Sequence, residues 1–171
     1  LTQGVELKGF DTVVQAWSLV HRAHTDARLI FAGRGDPSLL KMMAKEFNCS
    51  DSIQFPGFIE HPETLFQGAS LFVVASRKEG MSNALLEAQA WGLPTVVSDI
   101  PANRAVCCEN ENGLFFPPGN SDVLAEKILF LFSNPAEMQR LGRASYERMK
   151  SNFSREAITR QIQDFYRDLL P

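Results

Sequence analysis

The sequence predicts an α/β fold of the doubly wound class, a parallel sheet with helices on both faces, and three observations carry that expectation. Short β-rich runs alternate with segments of helical periodicity along the chain, as strand-helix-strand units require. The run "SLFVVAS" at residues 70–76 is apolar without alternation, the pattern of a strand covered on both faces. Most runs close on glycine or proline, which punctuate elements. At 171 residues, with no repeat and no linker-like stretch, the expectation is one domain over residues 1–171.

The elements follow in order. Phe10 to His24 places Val13, Val14, Trp17, Val20 and Ala23 on a helical stripe. "RLIFAG" (28–33) is a strand closed by glycine, "SLLKMMAKEF" (38–47) returns to helical spacing, and residues 52–55 form the next strand. "HPETLFQGA" (61–69) gives a short helix with Pro62 near its first turn, and "SLFVVAS" is the buried strand. Asn83 to Trp91 is helical and stops at Gly92 and Pro94, residues 95–98 are a strand, and "GLFFPPGN" (113–120) is a strand ending in a turn. Three helices close the chain, Ser121 to Phe132, Pro135 to Lys150 and Ser154 to Leu170, with start signals at Asn120, Asn134 and Ser154.

Composition excludes several function classes. A hydrophobic content of 44% and a charged content of 22% are those of an ordinary globular domain, which sets aside disordered and fibrous proteins. The net charge is −3 and the basic residues are scattered, so no surface-wide footprint for nucleic acid exists. Cys49, Cys107 and Cys108 are odd in number and lack metal-ligand spacing, which argues for a reducing, cytoplasmic setting without disulfides. No metal site is expected. No apolar run approaches the ~20 residues of a membrane span. His21, His24 and His61 have no ligand-spaced companion and read as surface residues. "GRGDPS" (33–38) sits where a dinucleotide fingerprint would, but Ser38 replaces the last glycine and the following strand ends without an acid.

Ligands of doubly wound sheets bind at the carboxyl ends of the strands, so the candidate sites are loops. The loop "ASRKEGMSN" (75–83) and its helix "ALLEAQAWG" (84–92) hold the most chemistry. Apolar residues surround nearly all of that helix, so Glu87 reads as a carboxylate in a mostly packed element that needs a partner from elsewhere. A ligand diol such as a ribose, a distant arginine, or a narrow solvent stripe would each serve. The start of the helix, capped by Ser82 or Asn83, offers free backbone N–H groups to phosphate oxygens, and Gly80 allows close approach. Arg77 and Lys78 read as a solvated loop pair or as added positive potential.

"EGMSNALLE" followed by "AQAWGLPTVVSD" resembles the E-x(7)-E signature of the group 1, or family 4, glycosyltransferases, which have the two-domain GT-B fold. "LKGFDTVVQAW", "RLIFAGRGD", "IQFPGFI", "ASLFVVAS", "ENGLFFPPGN" and "LGRASYERMKSNFS" follow in the order of that family's C-terminal, donor-binding domain, so the likeness covers essentially the whole chain. The resemblance implies a Rossmann-like half of a GT-B fold. It places an N-terminal acceptor domain, and a first strand ahead of "LTQG", outside residues 1–171.

By the same resemblance, Glu79 contacts hydroxyls of the donor sugar, Glu87 the ribose, and Lys8 the diphosphate. Backbone N–H groups of Ser82, Asn83, Ala84 and Leu85 hold that diphosphate too. Phe58 and Ile59 lie near the base, and Gly33 and Gly35 keep the adjoining loop low. The donor is a nucleotide-diphosphate sugar, with no obligatory metal or other cofactor, since fixed positive charge stabilises the leaving diphosphate. The family's partner arginine is missing from residues 1–7 and is expected earlier. "DIPANRAV" (99–106) departs from the glycine and glutamate that many members have at the places of Ala102 and Ala105. The implied activity is transfer of a sugar, with retention, to a hydroxyl of a glycan or lipid-linked acceptor in polysaccharide synthesis. A GT-B-type nucleotide-sugar epimerase and a non-catalytic nucleotide-binding module are the alternatives. The chain alone is expected to bind nucleotide weakly and turn over little. Attachment to the inner membrane face, if present, is expected through the other domain.

Overall fold

A computed structural model describes residues 2–169. The elements run α1 (Thr2–Leu7), α2 (Phe10–Ala23), β1 (Leu29–Ala32), α3 (Ser38–Glu46), a 3-10 turn (Ser50–Ser52), β2 (Ile53–Gly57), α4 (Glu63–Gly68), β3 (Phe72–Val74) and α5 (Asn83–Ala90). They continue with β4 (Thr95–Ser98), α6 (Pro101–Arg104), β5 (Leu114–Phe116), α7 (Ser121–Ser133), α8 (Pro135–Arg148), a π turn (Met149–Phe153) and α9 (Arg155–Leu169). The α/β alternation is as expected. Helices α1 and α6 were not expected, and Leu170 of the predicted last helix lies outside the described residues. Asn120 caps α7 by accepting from Val123 N at 3.0 Å, and Ser154 Oγ accepts from Ala157 N at 3.2 Å. Asn134 does not cap α8 through its side chain, which instead donates to Phe130 O at 2.7 Å.

All strand pairs are parallel, and they form two sheets, β1 with β2 and β3-β4-β5, rather than one continuous sheet. Among the described residues, β1 and β3 each have an edge with no strand partner. The period-two alternation of strands explains why both faces of the three-stranded sheet are covered. Val96, Leu114 and Phe116 point into a core shared with α2, α3 and α7, while Val74, Val97 and Phe115 point into a second core with Leu85 of α5 and Met149. Leu29 and Phe31 of β1 join the first core, which therefore ties the two sheets together. β4 is buried throughout, whereas "SLFVVAS" is not wholly buried, because Phe72 and Val73 of β3 lie beside the open edge and are half-exposed.

Helix α2 is the hub of the larger core. It buries Val13, Val14, Ala16, Trp17 and Val20 and packs against α7 and α3. Its indole is satisfied because Trp17 Nε1 donates to Ser52 Oγ at 2.9 Å, and Ser52 Oγ in turn donates to Cys49 O at 2.8 Å.

On the other side, a buried polar cluster locks α5 to the sheet. Gln89 is fully buried; its Nε2 donates to Thr95 Oγ1 at 3.2 Å and Cys107 Sγ at 2.9 Å, and its Oε1 accepts from Asn112 Nδ2 at 3.1 Å. Ser145 Oγ of α8 donates to Asn112 O at 2.8 Å and brings that helix into the cluster. Satisfied on every side, these groups avoid the cost of a buried unpaired amide. All three cysteines are free thiols.

Burial pushes the Cys107 thiol up from 9.0 to about 11. The folded state therefore holds its proton where the unfolded chain loses it. The resulting stability is intact below the unfolded value near 9.0 and falls as pH rises toward about 11. Denaturant titrations across that window should show wild-type stability dropping by up to about 1.4 kcal/mol per pH unit more than that of Cys107→Ser. Equal slopes in the two proteins would show that this thiol is not the source.

Candidate functional site

The strand ends converge where the turn at Lys8 and Gly9 meets the loop after β3. Gly9 takes a left-handed conformation, φ 67°, and the Ala75 carbonyl occupies the space a side chain would need: a Cβ here would stand 2.0 Å from Ala75 O. Arg77 N donates to Leu7 O at 2.8 Å, so backbone contacts pin the turn to the loop. Lys8 Nζ then reaches Glu79 Oε1 at 2.6 Å, and Ser76 Oγ donates to the same oxygen at 2.8 Å. The Glu79 side chain is 11% exposed and that of Lys8 47%. Glu79 Oε2 has no partner among the described residues, so the carboxylate is held by one oxygen and free to accept through the other.

Behind Glu79 the loop is braced by buried polar side chains. Ser98 Oγ donates to Ser76 O at 2.6 Å, and Asn103 Nδ2 donates to Ser98 O at 2.8 Å. Asn103 lies on α6, in the segment whose sequence departs from the family pattern, and it is fully buried. It fastens α6 to the end of β4, while Ser98 holds that end against the loop after β3.

The loop leads through Gly80 into α5. Ser82 occupies the N-cap position but makes no side-chain cap. Among the described residues, the N–H groups of Ser82, Asn83 and Ala84 have no acceptor, while Leu85 N donates to Ser82 O at 3.1 Å. The expected amide cradle is thus narrower than Ser82 to Leu85, since Leu85 has its amide engaged and its side chain wholly buried.

Glu87 corrects the reading of this helix. α5 has two faces: Leu85, Ala88 and Gln89 point inward, whereas Asn83, Ala84, Glu87, Ala90 and Trp91 are exposed. Glu87 is therefore not a carboxylate in want of a buried partner. It stands on the open face, with no side-chain hydrogen bond or ion pair among the described residues, one turn from the free amides. The inward polar residue is Gln89, which sequence periodicity did not single out.

The remaining candidates sit at the ends of β1 and β2. Gly33 and Gly35 have positive φ, and Gly33 N donates to Gly57 O at 2.8 Å, which joins the two loops. Arg34 stacks its guanidinium over the Phe58 ring, 4.3 Å from the centroid, on an otherwise exposed surface. Ile59 follows, half-buried. Asp36 closes the loop by accepting from Ser38 N at 2.9 Å and from its hydroxyl, and these bonds hold its carboxyl below the usual range. No hydrogen bond or ion pair among the described residues joins this group to Lys8 and Glu79.

Of the charged loop residues, Lys78 is exposed, but Arg77 is not a solvated partner to it. Its guanidinium meets Asp11 of α2 in a fork, at 3.0 and 2.7 Å. The histidines are more sheltered than expected: His24 packs edge-on against Phe132, and His21 is half-buried with Nδ1 unpaired. His61 is exposed beside Glu63. Two open grooves run along α8, one of them reaching Ala69, Ser70 and Pro94 at the amino ends of β3 and β4, and none of the candidate residues lines either.

Known proteins place this arrangement. A sequence profile described as "Glycosyl transferases group 1" matches residues 2–148. The chain belongs to the group 1 glycosyltransferases. It is 28% identical over 167 residues to the lipopolysaccharide core biosynthesis glycosyltransferase LpsE of Rhizobium meliloti, covering 97% of this chain and 47% of LpsE. The C-terminal domain of the group 1 family protein LpcC from Francisella tularensis superposes with a TM-score of 0.80 at 22% identity, over 87% of this chain and 81% of that one. Anabaena HepE, solved in complex with UDP, gives 0.86 at 18% identity, over 95% of this chain and 46% of HepE. The chain has the Rossmann-like half of a GT-B fold. The chain spans less than half the length of the curated relatives it matches.

The site's two anchors should separate in stability measurements. Gly9→Ala forces a methyl onto the Ala75 carbonyl and should destabilise the fold by about 1–3 kcal/mol in urea denaturation. Glu87→Gln, lacking any partner in the fold, should stay within about 0.5 kcal/mol of wild type. A tolerated Gly9→Ala, or a large loss in Glu87→Gln, would contradict this geometry.

Proposed function

We propose that this chain is the donor-binding domain of a glycosyltransferase that takes a nucleotide-diphosphate sugar and passes the sugar to a hydroxyl of a glycan or lipid-linked acceptor. The observation that carries the reading is the convergence of a lysine ammonium, a half-satisfied carboxylate and two unpaired helix-start amides around one loop. Lys8 is 2.6 Å from Glu79, and the free N–H groups of Asn83 and Ala84 open the helix that follows. The bound UDP of HepE supports a nucleoside diphosphate as the ligand, and the name of LpsE supports sugar transfer.

Each residue then has a physical role. Charge builds on the diphosphate as the sugar leaves, and Lys8 with the positive end of α5 stabilises it without reorganising. Glu79, oriented by Lys8 and Ser76, accepts hydroxyls of the sugar through Oε2. Glu87, one turn further on, accepts the ribose diol, with Gly80 and Ser82 lining the approach. Phe58, stacked under Arg34, and Ile59 offer an apolar face to the base, above the low backbone of Gly33 and Gly35. The family resemblance is the ground for proposing retention, and because no described side chain is placed as a nucleophile for a double displacement, a donor phosphate oxygen serves as the base.

The other half of the site belongs to the acceptor domain. The open edges of β1 and β3 support a further parallel strand between them, which would turn the order β2-β1 and β3-β4-β5 into one six-stranded doubly wound sheet. The relatives' greater length leaves room for both, and closure of the two domains would complete a site that is open on this one. We place the reaction on the cytoplasmic side, where three free thiols persist. No described helix is long and apolar enough to cross a membrane, and we propose that any attachment runs through the other domain.

Calorimetry of the whole protein with UDP-, GDP- and ADP-sugars should reveal one preferred donor, and Glu87→Gln should weaken it about tenfold or more. Unchanged affinity in Glu87→Gln would overturn the ribose assignment. Isomerised donor in the absence of acceptor would turn the reading to an epimerase, binding without turnover would turn it to a non-catalytic nucleotide-binding module, and absence of both would overturn it.

A further inference from the structure

We propose that Arg77 and Asp11 are positioning residues of the donor site, a forked clamp that fixes the turn carrying Lys8 against the loop carrying Glu79. The inference rests on the donor-site reading above and adds two residues to it.

The clamp gathers four separate segments. Nη1 of Arg77 donates to Asp11 Oδ1 at 3.0 Å and to the Glu6 carbonyl at the end of α1. Nη2 donates to Asp11 Oδ2 at 2.7 Å and to the buried Thr12 hydroxyl at 3.3 Å. Gly119, after β5, lies against the same guanidinium, within 3.8 Å of it for an added Cβ. Arg77 and Asp11 flank the Lys8–Glu79 pair at short range on both segments of the contact, Asp11 three residues after Lys8 and Arg77 two before Glu79. Whatever fixes the first pair therefore fixes the second.

The geometry needs an arginine rather than a positive charge in general. Two parallel N–H groups meet two carboxylate oxygens while both nitrogens also serve backbone and hydroxyl acceptors, and a lysine ammonium cannot span that set. The pair is about one-third exposed at each side chain, 31% for Arg77 and 27% for Asp11, so it is neither a solvated surface contact nor a fully desolvated one. Its hydrogen bond to Asp11 raises Arg77 further above its ordinary value, in keeping with a guanidinium that never releases its proton. Asp11 also sits in the first turn of α2, where a negative charge is favoured by the helix dipole. Bulk positive potential near a diphosphate, the other role a loop arginine could have, does not account for a guanidinium whose Nη1 and Nη2 donors are all engaged by Asp11, Glu6 and Thr12.

The test uses the whole protein and calorimetric titration with UDP and UMP, with the guanosine and adenosine pairs in parallel. Arg77→Lys keeps the charge and loses the fork. It should weaken the diphosphate that wild type prefers by about tenfold while changing the matching monophosphate far less, because Lys8 addresses the diphosphate. In a Lys8→Ala background the same substitution should cost little more, because the clamp acts through Lys8. Asp11→Asn, which keeps shape and part of the bonding, stands in if Arg77→Lys fails to fold, and should give a smaller loss with the same pattern. Lys78→Ala, at the exposed neighbour, should leave both affinities unchanged.

Diphosphate affinity retained in Arg77→Lys, equal losses for mono- and diphosphate, or losses that multiply with Lys8→Ala would each overturn the clamp. If Lys8→Ala itself leaves diphosphate affinity intact, the donor-site reading falls first. If Lys8→Ala weakens it and Arg77→Lys does not, the clamp alone falls.

Discussion

The seating of one glycine on one carbonyl governs the rest of this site. Gly9 presses against Ala75 O so closely that no side chain fits between them. That contact brings the end of α1 and the start of α2 onto the end of β3, which is why a lysine and a glutamate 71 residues apart become an ion pair at 2.6 Å. The left-handed backbone of Gly9 makes the approach possible, and the buried stripe of α2 makes it stable, because Val13, Val14 and Trp17 are drawn into the core immediately after the turn. Packing on one side of the sheet thus sets charge geometry at its end.

A second constraint works from the opposite face. Gln89 is tied to Thr95, Cys107 and Asn112, and two positions earlier Glu87 points the other way. Helical geometry turns a buried amide into the orientation of an exposed acid, since neighbours two apart lie on nearly opposite sides of the cylinder. The free N–H groups of Asn83 and Ala84 open the same helix, so its rotation aims the amides and Glu87 together. Hydrophobic burial alone would fix this less sharply, since α5 places few large apolar side chains inward. The polar cluster supplies the specificity that apolar packing lacks there.

Much of the fold was legible because its signals are local. The strand-helix alternation, the stripe on α2 and the caps at Asn120 and Ser154 depend on spacings of a few residues, and the structure has them where the sequence put them, except that Ala23, expected at the end of the stripe, is exposed where α2 runs out of the core. The split into two sheets was not legible, because strand pairing depends on partners that periodicity does not name. Within the candidate site, Lys8 and Glu79 came from motif resemblance and the helix start from its cap residues and free N–H groups, and the structure brings Lys8 and Glu79 into contact. Glu87 was found for the wrong reason: alanines and a tryptophan that lie in the open were counted as a packed surface, since small apolar residues do not mark which face is inward. Arg77 was read as a solvated loop charge because its partner, Asp11, is 66 residues away, and no local pattern carries that pairing. Gln89 was hidden by the same limitation, its partners lying on β4 and beyond.

Amide-resolved hydrogen exchange of the whole protein with and without saturating nucleoside diphosphate tests the central claim most directly. If the turn seated on β3 and the start of α5 form one diphosphate site, exchange should slow at Asn83 and Ala84 and along the 75–80 loop, with Lys8 and Gly9 protected in step. Protection confined to other elements, or confined to the β1 and β2 loops while Asn83 and Ala84 exchange at their unliganded rate, would contradict the account.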